Sequence, residues 1–347
     1  MSRPARWTRR AAWLVALVAL GAAGVAWAAP SGAEVRSALA RLAGLGAWAP
    51  ALVVVGTAVL IATEALRIAA VGRIVGVRIA AVTAIDAAVA NHVLTAVTPS
   101  AGLGEPAVAY VLGRRGVPWD AAVVIPFVKF TTSFVFIFAA GAALVATGHG
   151  PRPGSWLSLP AALALLGLAV AMGALVAGGV RPATARRVID GAGRFLARRR
   201  WFAGARAQAR LVRLADGARA AVDRLASLRA GGVRAAAILV AVHAVYYLGY
   251  VVTLLALASM LTAAPASAVL ARSLTYLCWV FVAPTPGGAG LGEAGAVLFF
   301  GDLMPAPDAV AVVVGFRLAT LYLPVVVGAL YAPGRLAVGQ GLHDARE

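Results

Sequence analysis

Two apolar segments of this chain are interrupted near their middle by proline and glycine, and both interruptions end in Gly-Leu-Gly-Glu. The first interruption reads PSAGLGE at residues 99–105, and the second reads PTPGGAGLGE at residues 284–293. Proline and glycine break helices, because proline lacks a backbone donor and glycine is conformationally free. Inside a bilayer, broken backbone is tolerated only where protein or a water-filled cavity surrounds it. The two breaks are therefore expected to pack against protein or to line a polar cavity.

The composition predicts an all-α, polytopic membrane protein. The chain is 62% hydrophobic and 13% charged, with a mean hydropathy of +0.88, whereas soluble domains are about half apolar and a quarter charged. A helix needs about 20 apolar residues to cross a bilayer. Six segments meet that length, at residues 11–29, 48–70, 118–147, 157–179, 235–262 and 308–332.

The basic residues are concentrated in one segment. The net charge is +18, and 14 of the 31 basic residues lie in residues 181–234. This distribution favours a cytoplasmic insert that follows the positive-inside rule over a nucleic-acid surface. Residues 183–230 predict either amphipathic helices on the inner leaflet or a solvated basic loop, and residues 34–45 are a shorter candidate counterpart outside. The single cysteine and four scattered histidines predict no metal site and no cofactor.

Arginines indicate how the broken segments run. The basic N-terminus is expected in the cytoplasm, so the second span ends inside, where Arg67, Arg73 and Arg78 lie. Arg114 and Arg115 then remain inside only if residues 81–113 enter halfway, turn and return. The same reasoning makes residues 266–302 a hairpin that enters from outside, and it keeps the C-terminus cytoplasmic.

The predicted architecture is six full spans plus two re-entrant broken hairpins in an inverted repeat. Residues 1–147 form the first half, and residues 148–335 form the second half around the basic insert. Inverted repeats whose discontinuous helices meet near the midplane are a transporter design. Two alternatives stay open here: eight complete spans, or a first segment that is a cleaved signal peptide.

Two glutamates and two cations stand out within the apolar segments. Glu105 and Glu293 each begin the helix after a break, where a carboxylate either closes the broken backbone or lines a polar cavity. Lys129 and Arg317 lie near the centres of the corresponding third spans. They predict either two intramembrane ion pairs or a cationic pocket for a lipid phosphate. The candidate translocation residues are Glu105, Glu293, Arg317, Lys129, Asn91, Pro99, Gly104, Pro284, Pro286, Gly287, Gly288 and Gly290.

These motifs resemble the membrane domain of the lysylphosphatidylglycerol synthase/flippase family. The first family pattern is an Asn, a Pro, a Gly-Glu pair that opens a helix, and a basic linker. This chain supplies Asn91, Pro99, Gly104, Glu105, Arg114 and Arg115. The second pattern, PTPGGxG followed by Glu, is whole at residues 284–290 and Glu293. The likeness covers about residues 10–335, including the final Arg-containing span.

The resemblance implies movement of a lipid between membrane leaflets. Relatives often carry an acidic-basic pair where this chain has Lys129, so the acidic member of that pair is missing at this position of the sequence. The soluble aminoacyl-transfer domain is not recognised and no enzyme motif is found, so catalysis is not expected. We expect a flippase in the plasma membrane for a phospholipid or polyprenyl-phosphate-linked lipid, with anionic membrane lipids as partners. The alternatives are a non-transporting scaffold for envelope or glycolipid biosynthesis enzymes and a membrane-embedded transferase.

Overall fold

The computed structural model describes most of the central part of the chain. The described residues are 32–98, 104–147, 167, 182–198, 204–227, 231–282, 287–288 and 291–331, and all regular structure within them is helical. The predicted spans at 11–29 and 157–179 and both termini lie outside these residues, apart from residue 167. The same holds for Pro99, Pro284, Pro286 and Gly290.

Four helical segments are long and apolar enough to cross a membrane, which confirms four of the six predicted spans as apolar helices. At 1.5 Å per residue, a helix of 26 to 28 residues is about 40 Å long and exceeds the roughly 30 Å hydrocarbon core. The chain is therefore an integral membrane protein. The four are α2 (Trp48–Ile74), α5 (Trp119–Ala146), α8 (Gly232–Ser259) and the segment Ala306–Tyr331, which begins with α11 (Ala306–Arg317).

Shorter helices flank each break. The first break separates α3 (Ala81–Val97) from α4 (Gly104–Arg114), and the second separates α9 (Ala266–Val282) from α10 (Leu291–Phe300). With 11 and 10 residues, α4 and α10 are each only about 16 Å long. That is about half of the hydrocarbon thickness, so neither short helix can cross it alone.

Helices α3 and α4 fold back on each other as an antiparallel hairpin. Near the break, Gly104 lies against Asn91 and Thr95 of α3. At the open end of the hairpin, Arg115 forms an ion pair with Asp86. The first broken segment therefore begins and ends at the same end of the helix bundle.

Helices α9 and α10 are held together in the same way. Arg272 near the start of α9 binds Asp302, just after α10, at 2.5 Å. The Thr262 hydroxyl, which lies between α8 and α9, donates to the Leu303 carbonyl at 2.8 Å. The second broken segment also begins and ends at one end of the bundle.

Amphipathic helices lie at both ends of α2. Helices α6 (Pro182–Ala197) and α7 (Ala205–Ser227) are packed together, and Arg224 of α7 donates to Asp120 at 2.6 Å and to the Val75 carbonyl at 2.7 Å. At the opposite end, Arg41 of α1 (Gly32–Gly44) binds Asp308 at 2.5 Å. Each aspartate lies in the first turn of a long helix, where a carboxylate favours the helix dipole.

The apolar core has two parts, and α5 contributes to both. The part at the α7 end combines α2, α3 and α4 with the first half of α5, through residues such as Ile68, Leu112 and Ile125. The part at the α1 end combines α8, α9, α10 and α11 with Ile137 and Phe138 from the second half of α5. Helix α5 therefore joins the two parts of the apolar core.

Gly104→Ala is expected to destabilise the first hairpin by about 1–3 kcal/mol, because overpacking displaces well-fitted neighbours. An added β carbon would lie 2.1 Å from Thr95 Oγ1 and 2.6 Å from Asn91 Oδ1. Gly44→Ala is the control, since a β carbon there has no neighbour within 4 Å. Thermal unfolding of the purified protein in detergent measures both, and equal melting temperatures would contradict the close packing of α3 and α4.

Candidate functional site

A buried group of charged side chains lies between α2, α3, α4 and α5. We call it the first charge cluster, and its members are Glu64, Arg67, Asn91, Glu105 and Lys129. Lys129 is fully buried at its centre. Its ammonium forms ion pairs with Glu64 and, at 2.9 Å, with Glu105.

Glu64 has three polar donors. Arg67 Nη2 binds it at 2.5 Å, the Asn91 amide donates to it at 2.8 Å, and the Lys129 ammonium is the third. Arg67 is itself fixed by Ser133, which accepts a hydrogen bond at 2.8 Å. The Arg67 guanidinium also lies 3.7 Å from the centroid of the Tyr246 ring, a favourable cation–π distance.

One expectation about this region was wrong. Arg67 was predicted at the inner end of the second span, but it is buried because Glu64 neutralises it and Tyr246 covers it. The sequence has no acidic residue beside Lys129, but Glu64 and Glu105 from two other helices both bind it. Sequence reasoning overlooked Glu64, although an acid and a base three residues apart in an apolar span are a readable signal.

Arg317 and Glu293 form the second charge cluster, and Arg317 also binds backbone atoms of the second break. Arg317 Nε donates to Glu293 Oε1 at 3.1 Å. Its two terminal nitrogens donate to the backbone carbonyls of Gly287 and Gly288, the latter at 2.5 Å. One guanidinium therefore neutralises a buried carboxylate and binds two carbonyls of the broken segment, which suits the fixed fork of donors in arginine.

The two clusters differ in solvent exposure and in the number of polar atoms without a hydrogen-bond partner. The Glu105 side chain is 24% exposed, whereas that of Glu293 is 7% exposed. Among the described residues, Glu105 Oε2, His92 Nε2 and Arg67 Nε are buried polar atoms without a hydrogen-bond partner. Such atoms are rare in native interiors and call for an explanation such as a bound polar group. The first charge cluster is therefore the more open of the two.

The second break approaches the last turn of α3 at Gly287. Gly287 has φ +55°, a conformation that favours glycine. A β carbon on Gly287 would lie 3.0 Å from the carbonyl oxygen of Ala96, in the last turn of α3, and 2.5 Å from Leu321 Cδ1. Only a residue without a side chain fits at this contact between the second break and the first hairpin.

A π-helical turn, Leu318–Tyr322, follows Arg317 directly. Thr57 of α2 donates from its hydroxyl to the Ala319 carbonyl at 2.7 Å and so satisfies a carbonyl within this turn. Single π turns inside α-helices occur often at functional sites. The turn links the second charge cluster to the first half of the chain.

The structure brings most of the sequence-predicted residues into two groups. Asn91, Glu105 and Lys129 meet in the first charge cluster, and Gly104 lies beside them. Gly287, Gly288, Glu293 and Arg317 meet in the second. The two ion pairs that were one of the two alternatives left open by the sequence are present. Within the described parts of the chain, no group of three or more His, Cys, Asp or Glu side chains could hold a metal ion.

The comparisons with known proteins give one result for the whole membrane region. No curated protein matches the chain significantly. A family model described as "Lysylphosphatidylglycerol synthase TM region" matches residues 12–328, which is most of the chain. The match includes both charge clusters and every described helix, apart from the last three residues of the segment Ala306–Tyr331. The chain therefore belongs to the family of the lysylphosphatidylglycerol synthase transmembrane region.

Proposed function

We propose that the protein is a lipid transporter that moves a phospholipid or a polyprenyl-phosphate-linked lipid between membrane leaflets. The observation that carries this proposal is the pair of buried charge clusters beside two broken helical hairpins. The family description, which refers to a lipid, agrees with a lipid substrate. The protein is proposed to act without catalysis, in the plasma membrane and with both termini in the cytoplasm.

The hairpins are proposed to be re-entrant from opposite faces of the membrane. The open end of the first hairpin lies at the α7 end of the bundle, because Arg224 joins Asp120, which follows that hairpin, to Val75 at the end of α2. The open end of the second lies toward α1, where Arg41 meets Asp308 just after that hairpin. This opposition supports two inverted halves, residues 1–147 and 148–335, and such halves commonly bind substrate where their broken helices meet.

Lys129 is proposed to bind the lipid phosphate. It is a compact point charge, and its partner Glu105 is the partly exposed carboxylate of the site. Arg317 instead holds the second break through the Gly287 and Gly288 carbonyls. A headgroup is proposed to enter beside Glu105 while its acyl chains remain in the surrounding lipid.

The energetics support a functional role for the first charge cluster. Burying an ion costs several kcal/mol even after relaxation, and buried ion pairs often stabilise less than apolar packing would. Two acids and two bases are nevertheless placed together here, three of them almost inaccessible to solvent. Charged groups at membrane depth are functional candidates for this reason.

A scaffold for membrane enzymes is the second candidate function. One observation favours it: α6 and α7 expose the apolar side chains Val188, Phe195 and Leu214 in an arginine-rich region. A scaffold predicts that substitutions in the charge clusters are tolerated while substitutions on α6 and α7 abolish function. A transporter predicts the reverse.

Reconstitution into vesicles tests the transporter. Fluorescent analogues of phosphatidylglycerol and of a polyprenyl phosphate are expected to exchange between leaflets faster than in protein-free vesicles, measured by dithionite quenching. Glu293→Gln is expected to slow exchange about tenfold, because the buried Arg317 loses its counter-charge. Asp216→Asn, a change of an exposed acid on α7, is the matched control. Exchange no faster than in protein-free vesicles would refute transport, and wild-type exchange by Glu293→Gln would refute the role of Glu293.

A further inference from the structure

In the first charge cluster, two carboxylates share one ammonium but are not equally supported. Glu64 binds Arg67 and Asn91 in addition to Lys129. Glu105 has Lys129 as its only ion-pair partner among the described residues, and its Oε2 has no hydrogen-bond partner there. Loss of Lys129 would therefore leave Glu64 with a cation and Glu105 without one.

We propose that Glu105 takes up a proton when a lipid phosphate replaces it on Lys129, so that one proton crosses the membrane with each lipid anion. This inference rests on the proposed lipid transport and adds its coupling ion. The Lys129–Glu105 ion pair breaks, an ion pair between Lys129 and the phosphate forms, and Glu105 becomes the neutral acid. On the other side the lipid leaves, the Lys129–Glu105 pair forms again, and the proton is released.

Charge balance in the cluster supports this exchange. Glu64 and Glu105 carry two negative charges, and Arg67 and Lys129 carry two positive charges, so the cluster is neutral. A phosphodiester anion at Lys129 would leave one uncompensated negative charge at membrane depth, which is costly. Protonation of Glu105, the carboxylate that has lost its cation, restores the neutrality of the cluster with the smallest structural change.

The other charged groups near Glu105 do not take over its role as the group that takes up the proton. On α3, Asp86 is bound to Arg115 and Tyr331 at the open end of the hairpin. On α5, Asp120 is bound to Arg224 at that same end. The remaining titratable neighbour on α3 is His92, which is buried.

The surroundings of α4 and of α2 complete the set of neighbours. Arg114 and Tyr110 lie toward the open end of α4 itself, while Glu105 occupies its first turn. Arg67 is shared between Glu64, Ser133 and the Tyr246 ring. Lys129 is thus the cation whose release changes the state of Glu105.

Vesicles with an imposed pH gradient test the inference. Trace amounts of the same phosphatidylglycerol and polyprenyl-phosphate analogues are used, with valinomycin and potassium clamping the membrane potential. One-to-one coupling predicts that a gradient of one pH unit accumulates at least one analogue about tenfold in the leaflet facing the less acidic side. A pH dye trapped in the vesicles should report proton movement that depends on the analogue.

Two variants at Glu105 assign the proton to its residue. Glu105→Gln cannot ionise and is expected to bring the leaflet ratio close to one under the same gradient. Glu105→Asp keeps the acid and is expected to retain accumulation at a lower rate. Asp308→Asn, outside both charge clusters, is the control for loss of a carboxylate and should accumulate lipid like the wild type.

The outcomes separate this inference from the proposed function. Rapid exchange without accumulation in the wild type would overturn proton coupling and leave lipid transport standing. No exchange of either analogue would overturn both. Accumulation by Glu105→Gln equal to that of the wild type would overturn Glu105 as the proton carrier.

Discussion

Lys129→Met is expected to lower the free energy of unfolding by about 3–5 kcal/mol and to abolish lipid exchange. The reason is that Lys129 is fully buried and neutralises two carboxylates, and removing one partner of a buried ion pair leaves an uncompensated charge. Unfolding is measured by thermal or denaturant titration of the purified protein, and exchange by dithionite quenching in vesicles.

The double variant Lys129→Met with Glu105→Gln is the matched control for charge. It removes one positive and one negative group, so Glu64 keeps Arg67 as its cation and no net charge remains in the cluster. We expect it to recover more than half of the lost stability but none of the transport. If Lys129→Met alone unfolds like the wild type, the central position of Lys129 in the cluster is wrong.

Arg317→Lys is expected to destabilise the protein by about 2–4 kcal/mol despite conserving charge. A single ammonium cannot reproduce the fork that binds Glu293 and the carbonyls of Gly287 and Gly288. A buried acceptor left without a donor costs about 1–3 kcal/mol. Hydrogen exchange at the Gly292 amide, which donates to Gly288, is expected to accelerate at least tenfold.

Arg41→Lys tests the same chemical change at a less demanding position. The Arg41 side chain is 42% exposed and binds only Asp308 among its described partners, so its ion pair is worth no more than about 1 kcal/mol. We expect little change in melting temperature. Similar losses from Arg317→Lys and Arg41→Lys would contradict the role of Arg317 in holding the second break.

The sequence was sufficient to predict the elements that depend on local pattern. Long apolar runs predicted α2, α5, α8 and the last described helix. The proline- and glycine-rich interruptions predicted the broken pairs α3–α4 and α9–α10. A carboxylate after each break and a cation in each third span suggested, as one of two alternatives, the ion pairs Glu105–Lys129 and Glu293–Arg317.

The sequence was insufficient where a residue's environment comes from distant helices. Arg67 resembles an interfacial residue because it lies in the last third of an apolar span, yet Ser133 and Tyr246, from two other helices, enclose it. Nothing local indicates that Glu64 meets Lys129, 65 residues later. The hydrogen bonds from Arg317 to backbone carbonyls were likewise not predictable from the sequence, since they depend on the position of the second break in the folded protein.

The contact between Gly287 and Ala96 has a mechanical consequence. A β carbon at position 287 would meet both the Ala96 carbonyl oxygen, in the last turn of α3, and the Leu321 side chain. A clash with a backbone carbonyl cannot be relieved by a change of rotamer. We therefore expect a displacement of one hairpin at this contact to require a displacement of the other. Any residue larger than glycine at position 287 is therefore expected to push the second break away from the first hairpin.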